Sequence, residues 1–115
     1  WKVRVQACEV LGKSRNPKAL GILEKYVNDP RWEVQFAVAK ALVDLGDVSA
    51  VGHFKKLLNG DDAEEKANSA SALGPVGSKD DFPALRQALK DADGRVRLQA
   101  AKGVIQIRRR EPESK

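Results

Sequence analysis

Residues 32–42 read Trp32-Glu-Val-Gln-Phe-Ala-Val-Ala-Lys-Ala-Leu42, and their apolar side chains recur at the three- and four-residue spacing of one helix face. The same pattern returns along the chain at a step of 31 residues. Positions one or more steps apart form columns, among them Trp1 and Trp32; Val3, Val34 and Val96; Leu11, Leu42 and Leu73; and Leu23, Phe54 and Leu85. Self-similarity at a fixed period of this length is the signature of stacked repeats. We therefore predict an all-α repeat fold.

Each repeat holds two apolar periodic segments, which predicts about seven helices in antiparallel pairs. Their expected bounds are 2–12, 17–28, 31–45, 48–59, 62–74, 80–90 and 93–108. We expect Gly60 to end the fourth helix in a left-handed conformation, and Ser78 or Asp80 to cap the sixth. Residues 1–109 then form one repeat domain, and residues 110–115 form a polar, frayed tail.

The composition is that of a folded soluble domain, with 42% hydrophobic and 32% charged residues. No apolar run approaches the roughly 18 residues that a membrane span needs, and no signal-peptide pattern opens the chain. The single cysteine, Cys8, shares its column with three alanines, which predicts a small buried thiol. We expect a cytoplasmic, reducing location. Because the chain lacks methionine and begins within a helical pattern, we also expect it to be part of a longer protein.

The motif Asp91-Ala-Asp-Gly-Arg-Val96-Arg97-Leu-Gln-Ala100-Ala101-Lys-Gly-Val104 resembles the HEAT repeat, in the short form also found in phycobilin lyase subunits. The motif returns at Val3-Arg4 and at Val34-Gln35, whereas the third copy has Glu65-Lys66 instead. The resemblance covers almost the whole chain. It implies a right-handed α-α superhelix, a HEAT-like solenoid.

One polar column projects into the apolar sector of its helices and therefore needs partners, because a buried unpaired charge is costly. The column contains Arg4, Gln35, Lys66 and Arg97. Acidic residues in the turns, Asp29, Asp91 and either Asp61 or Asp62, are the available acceptors. We predict a ladder of contacts between neighbouring repeats, as the HEAT resemblance also implies. The alternative is a basic stripe that binds phosphate.

The solvent-facing columns of the same helices predict a docking surface. In HEAT-like stacks the second helix of each repeat lines the concave side, and here its middle is small and neutral, with Ala37 among its members. The residues that we expect to contact a partner are Gln6, Lys40, Asn68, Ser71, Gln99 and Lys102. This pattern favours a partner protein or peptide, although a solvated face without a ligand is the simpler interpretation.

The pattern offers no chemistry for catalysis. His53 is the only histidine, so neither a histidine-based metal cluster nor a triad can be assembled, and we expect no metal, no cofactor and no enzyme activity. A nucleic-acid-binding module is one alternative, and a lyase-like subunit that handles a chromophore is another. The net charge of +5 includes the cluster Arg108–Arg110, but four basic and seven acidic residues in 61–91 interrupt any continuous basic track.

Apolar residues at both ends of the pattern predict a further contact. Trp1, Val3 and Val5 begin the first helix, and Val104, Ile105 and Ile107 end the last. Contiguous exposed apolar residues mark interfaces. We consider end-to-end self-association and, alternatively, cover by further helices of a parent protein.

Overall fold

The computed structural model describes residues 1–111, and within that range it contains helices and turns but no β-strand. The seven helices are α1 (Lys2–Lys13), α2 (Lys18–Glu24), α3 (Trp32–Asp44), α4 (Val51–Leu57), α5 (Ala63–Val76), α6 (Phe82–Ala88) and α7 (Gly94–Arg110). Short 3₁₀ turns at Val48–Ala50 and Lys79–Asp81 lead into α4 and α6. The predicted all-α repeat fold is confirmed.

Most helix ends differ from the predicted bounds by one to four residues, with the largest difference at the end of α2. Helix α2 ends at Glu24 because the next two amides, of Lys25 and Tyr26, bond to carbonyls only three residues back. Helix α5 continues past the predicted end, with Pro75 inside it, and finishes at Val76. Helix α7 reaches Arg110, so this residue belongs to the helix and not to the predicted tail. Glu111 follows the helix as a bend, and the remaining residues of that tail, 112–115, lie outside the described residues.

The expected left-handed glycine is also in a different place. Gly46, immediately after α3, has a φ of 96°, whereas Gly60 has no positive φ. Only glycine adopts such a φ without steric cost, which explains the residue at position 46. Ser78 caps the 3₁₀ turn that leads into α6 and not α6 itself: its hydroxyl accepts from the Asp80 amide while the Asp81 carboxylate accepts from the Ser78 amide.

The chain forms two compact units, Trp1–His53 and Phe54–Lys115, with their boundary inside α4. In the first unit, α1 and α2 pack against α3. The core joins apolar side chains of all three helices, among them Leu23, Val34, Val38, Leu42 and Cys8. Val34, Val38 and Leu42 follow each other at four-residue steps along α3, so the periodicity of the quoted segment places them on one buried face.

In the second unit, α5 packs against α7, and α6 packs beside them. The largest fully buried side chains of this unit are Phe54, Leu73, Leu85, Val96 and Ile107. Val96 lies two repeat steps from Val34, and Leu85 two steps from Leu23. The two units therefore bury the same columns.

Small residues bring the paired helices close together in both units. A Cβ atom on Gly12 would lie 2.9 Å from both Cα and Cβ of Ala41. In the second unit, a Cβ atom on Gly74 would lie 3.3 Å from Cα of Gly103. Gly74 is two repeat steps from Gly12, and Gly103 two steps from Ala41, so this is one recurring contact. Close backbone approach of this kind increases the packing of the side chains on either side.

Candidate interaction surface

The polar ladder residues of the first unit meet at the turn before α3. The Arg4 guanidinium contacts the Asp29 carboxylate at 2.8 Å, and the Gln35 side-chain amide donates to the Asp29 carbonyl at 2.6 Å. The Asp29 carboxylate also accepts from the Arg31 amide at 3.0 Å. The Arg4 hydrogen bond, followed by the Arg31 amide, lowers the pKa of Asp29. This one turn residue therefore joins α1 to the start of α3.

The second unit repeats the arrangement two steps later. The Lys66 ammonium lies 2.6 Å from the Asp91 carboxylate, and the Arg97 guanidinium donates to the carbonyls of Asp91 and Ala92 at 2.8 and 2.9 Å. The bond from Lys66, and then the Asp93 amide, lowers the pKa of Asp91, while the same bond raises the pKa of Lys66. Position for position, Lys66, Asp91 and Arg97 correspond to Arg4, Asp29 and Gln35.

The turn between these two arrangements, which precedes α5, has a different source of carboxylate. It carries Gly60 at the position of Asp29 and Asp91, and a Cβ atom there would overlap the Glu65 carboxyl group. Asp62, one of the two expected acceptors, instead caps α5 by accepting from the amides of Glu64 and Glu65. The third copy of the motif thus supplies a carboxylate beside this turn from the next helix.

These contacts bear on the phosphate-stripe alternative. Arg4, Lys66 and Arg97 already bind carboxylate or carbonyl oxygens of their own unit. A phosphate would have to compete with those oxygens for the N–H donors of the same groups.

The six predicted contact residues, which we call the candidate face, contrast with the ladder. Gln6 and Lys40 in the first unit are exposed; in the second, Ser71 and Lys102 are exposed, and Asn68 and Gln99 are half-buried. Within residues 1–111 none of the six side chains has a hydrogen bond or ion pair. The ladder uses its polar groups within the fold, whereas the polar groups of the candidate face remain open to solvent or a ligand.

Ala37 corrects the predicted middle of that face. It is only 7% exposed and belongs to the core of the first unit, so it cannot contact a partner. The projection considered one helix in isolation, but α1 packs against α3 and widens the buried sector of α3.

The residues that could carry chemistry are separate from one another. The Cys8 thiol is buried, and burial raises its pKa, with smaller contributions from the charges of Asp29 and Glu9. His53 is half-buried. Within the described residues, no three side chains of the His, Cys, Asp or Glu type lie close enough to hold a metal ion. In the same range no helix is long and apolar enough to cross a membrane.

An apolar groove lies on the first unit beside α1. It has a volume of about 260 Å³, and its lining includes Val3, Leu11, Ile22 and Tyr26. Val3 is 77% exposed, whereas its column mates Val34 and Val96 are fully buried. Neighbouring helices cover the valines at positions 34 and 96 of this column. The groove beside Val3 therefore resembles a surface that neighbouring repeats cover elsewhere in the chain.

The sequence pattern does not predict one further cluster of side chains in the second unit. Two guanidiniums, those of Arg86 and Arg108, lie 5.9 and 5.8 Å from the centre of the Phe82 ring. Phe82 and Arg86 are four residues apart on α6, a spacing that brings side chains together. The approach of Arg108 from α7 depends on packing that the sequence pattern does not show.

Comparison with known families identifies the class of protein. The family model for HEAT repeats matches residues 1–74 and again residues 52–115. The chain therefore belongs to the HEAT repeat family, whose members are typically scaffolds and not enzymes. This match does not distinguish the phycobilin lyase form from other HEAT repeats. A search of the curated proteins finds no match.

Proposed function

We propose that this chain is a non-catalytic interaction module that binds a partner protein or peptide through the candidate-face residues of each unit, which are Gln6 and Lys40 in the first, and Asn68, Ser71, Gln99 and Lys102 in the second. HEAT repeats suggest a scaffold that often mediates protein interactions. The observation that carries the proposal is the contrast between two polar sets on the same helices. The ladder groups bond within their unit, and the candidate-face groups have no such bond within residues 1–111.

The chemistry of the candidate face favours a polypeptide partner. Amide and hydroxyl groups both donate and accept hydrogen bonds, as a peptide backbone requires. Lys40 and Lys102 add one positive charge to each unit's share of the face, enough to select acidic side chains. A nucleic acid would need a longer basic track with aromatic residues for stacking.

Affinity capture with matched variants tests this proposal. The test variant combines Lys40→Glu with Lys102→Glu, and the control combines Lys18→Glu with Lys25→Glu, which changes the net charge equally on exposed residues in and just after α2. Quantitative mass spectrometry should show partners that bind the wild type and the control but not the test variant. Retention of the same partners by the test variant would refute the candidate face.

End-to-end self-association stays a prediction, although Ile107, one of the apolar residues expected to be exposed at that end, is fully buried. A second copy docked in the register of the internal contacts would place Ile105 against Val10, at the positions where Gly12 meets Ala41. Two branched side chains need a wider helix separation than glycine and alanine. Light scattering over a range of concentrations measures the association, and a constant monomer mass would exclude it.

A further inference from the structure

The cluster of Phe82, Arg86 and Arg108 in the second unit contains two positive charges that have no acidic partner within residues 1–111. Because both guanidiniums lie within 6 Å of one ring centre, they are no more than about 12 Å apart. Both arginines are exposed, and Phe82 is half-buried. The ring is therefore held in the fold while its two cationic neighbours face solvent.

Other arginines of the chain show what such groups normally do here. Arg4, Arg31 and Arg95 each pair with a carboxylate. Arg110, close to Arg108 in sequence, donates to the carbonyls of Gly74 and Gly77 at 2.6 and 2.7 Å. Arg86 and Arg108 have no carboxylate or carbonyl partner among residues 1–111.

The acidic groups around the cluster are mostly engaged. The buried Asp81 carboxylate lies 3.2 Å from the Lys55 ammonium and accepts from the Ser78 amide at 2.8 Å. The Glu111 carboxylate accepts from the Lys79 amide at 2.9 Å. Asp80 is exposed in the same 3₁₀ turn. An incoming carboxylate would therefore find two guanidiniums without an acidic partner.

We propose that Phe82, Arg86 and Arg108 form a second contact site, which binds an acidic peptide segment of a partner protein. A guanidinium binds a carboxylate through two parallel N–H donors, which is stronger and more directional than a bond to an ammonium. Contact with the ring restricts each arginine before binding, so less side-chain freedom is lost on association. The exposed part of the ring offers an apolar contact beside the two charges. Arginine and aromatic residues together are typical of binding hot spots.

The charge around the site favours a peptide over a nucleic acid. Asp80, Asp81 and Glu111 flank the cluster in sequence and interrupt any continuous basic track, which a phosphate backbone would need. Two guanidiniums near one ring match a peptide segment that carries both acidic and apolar side chains.

Fluorescence anisotropy measures binding at this site directly. The probe is a labelled peptide in which leucine separates pairs of glutamates. The test variant is Arg86→Gln with Arg108→Gln; the control, Lys13→Gln with Lys18→Gln, removes the same charge from the first unit. We expect the test variant to weaken binding about tenfold or more and the control less than twofold. Phe82→Leu keeps the apolar bulk but removes the ring, and should weaken binding about threefold.

Thermal unfolding of each variant confirms that the fold is retained. Equal losses in the test and control variants would show binding by net charge alone and overturn the proposal. Tighter binding of a twenty-nucleotide oligothymidine at the same arginines would also overturn it in favour of nucleic acid. Neither arginine belongs to the candidate face, so failure here leaves the proposed function intact.

Discussion

Because α1 and α3 are in close contact, we expect substitution by alanine to affect stability differently at two glycines of the first unit. Gly12 and Gly21 both lie inside helices, where alanine is favoured over glycine by about 1 kcal/mol. A Cβ atom on Gly21 would have no heavy atom within 4 Å. A Cβ atom on Gly12 would lie 2.9 Å from Cα and Cβ of Ala41, closer than such atoms approach in folded proteins.

Replacement of Gly12 or Gly21 by alanine therefore brings the same gain in helix propensity, and the two substitutions differ in their steric cost. Because the neighbour of Gly12 includes helix backbone, it cannot rotate away as a flexible side chain could. Overpacking of this kind costs about 1–3 kcal/mol. We expect Gly21→Ala to raise the free energy of unfolding by up to about 1 kcal/mol. Gly12→Ala should be less stable than Gly21→Ala by about 1–3 kcal/mol.

Urea unfolding monitored by circular dichroism gives both free energies. In thermal unfolding the difference corresponds to roughly 4 °C per kcal/mol for a chain of this size. Gly103→Ala is a second control, because its Cβ would meet Ala70 and Leu85 at 3.4 Å or more, an ordinary contact. If Gly12→Ala were as stable as Gly21→Ala, α1 and α3 would not be as close as the geometry requires.

Other predictions follow from charge and burial. Hydrogen bonds from Arg95 lower the pKa of Asp93 to about 2, and partners also lower the pKa of Asp29 and Asp91. Because these carboxylates are more acidic when folded, their stabilisation is present above about pH 4 and should be lost as pH falls towards 2, which urea midpoints at several pH values will show. Cys8 should react with a thiol reagent slowly in the native protein and much faster in urea, since burial raises its pKa; a native rate equal to the denatured one would contradict this. Phe54→Ala should reduce the free energy of unfolding by about 3–5 kcal/mol, and a loss below 1 kcal/mol would refute the buried position.

The repeat period was sufficient to predict the fold because burial repeats with it. Val34 and Val96 are both fully buried, two steps apart. Helix ends were less predictable because they depend on contacts that the period does not contain. Helix α7 reaches Arg110, whose guanidinium binds the carbonyls of Gly74 and Gly77, more than thirty residues earlier. No local propensity at the end of a chain reports such a partner.

The ladder contacts were accessible from the sequence for a similar reason. Arg4 and Asp29 are 25 residues apart, as are Lys66 and Asp91, so one correct pairing in a repeat implies the other. Exposure was harder to predict, because it depends on what a neighbouring helix covers. Ala37 lies on the side of α3 that the projection assigned to solvent, yet it is buried in the core of the first unit.

The repeat around Gly60 shows where column comparison fails. A comparison of positions predicts an acidic residue in this turn, since Asp29 and Asp91 occupy it elsewhere. Glycine supplies none, but the Glu65 carboxyl group lies where a Cβ at position 60 would be. The requirement is therefore for a carboxylate near that point in space and not for aspartate at one position in the chain. Side chains from a neighbouring helix can meet that requirement, and only the folded structure shows which one does.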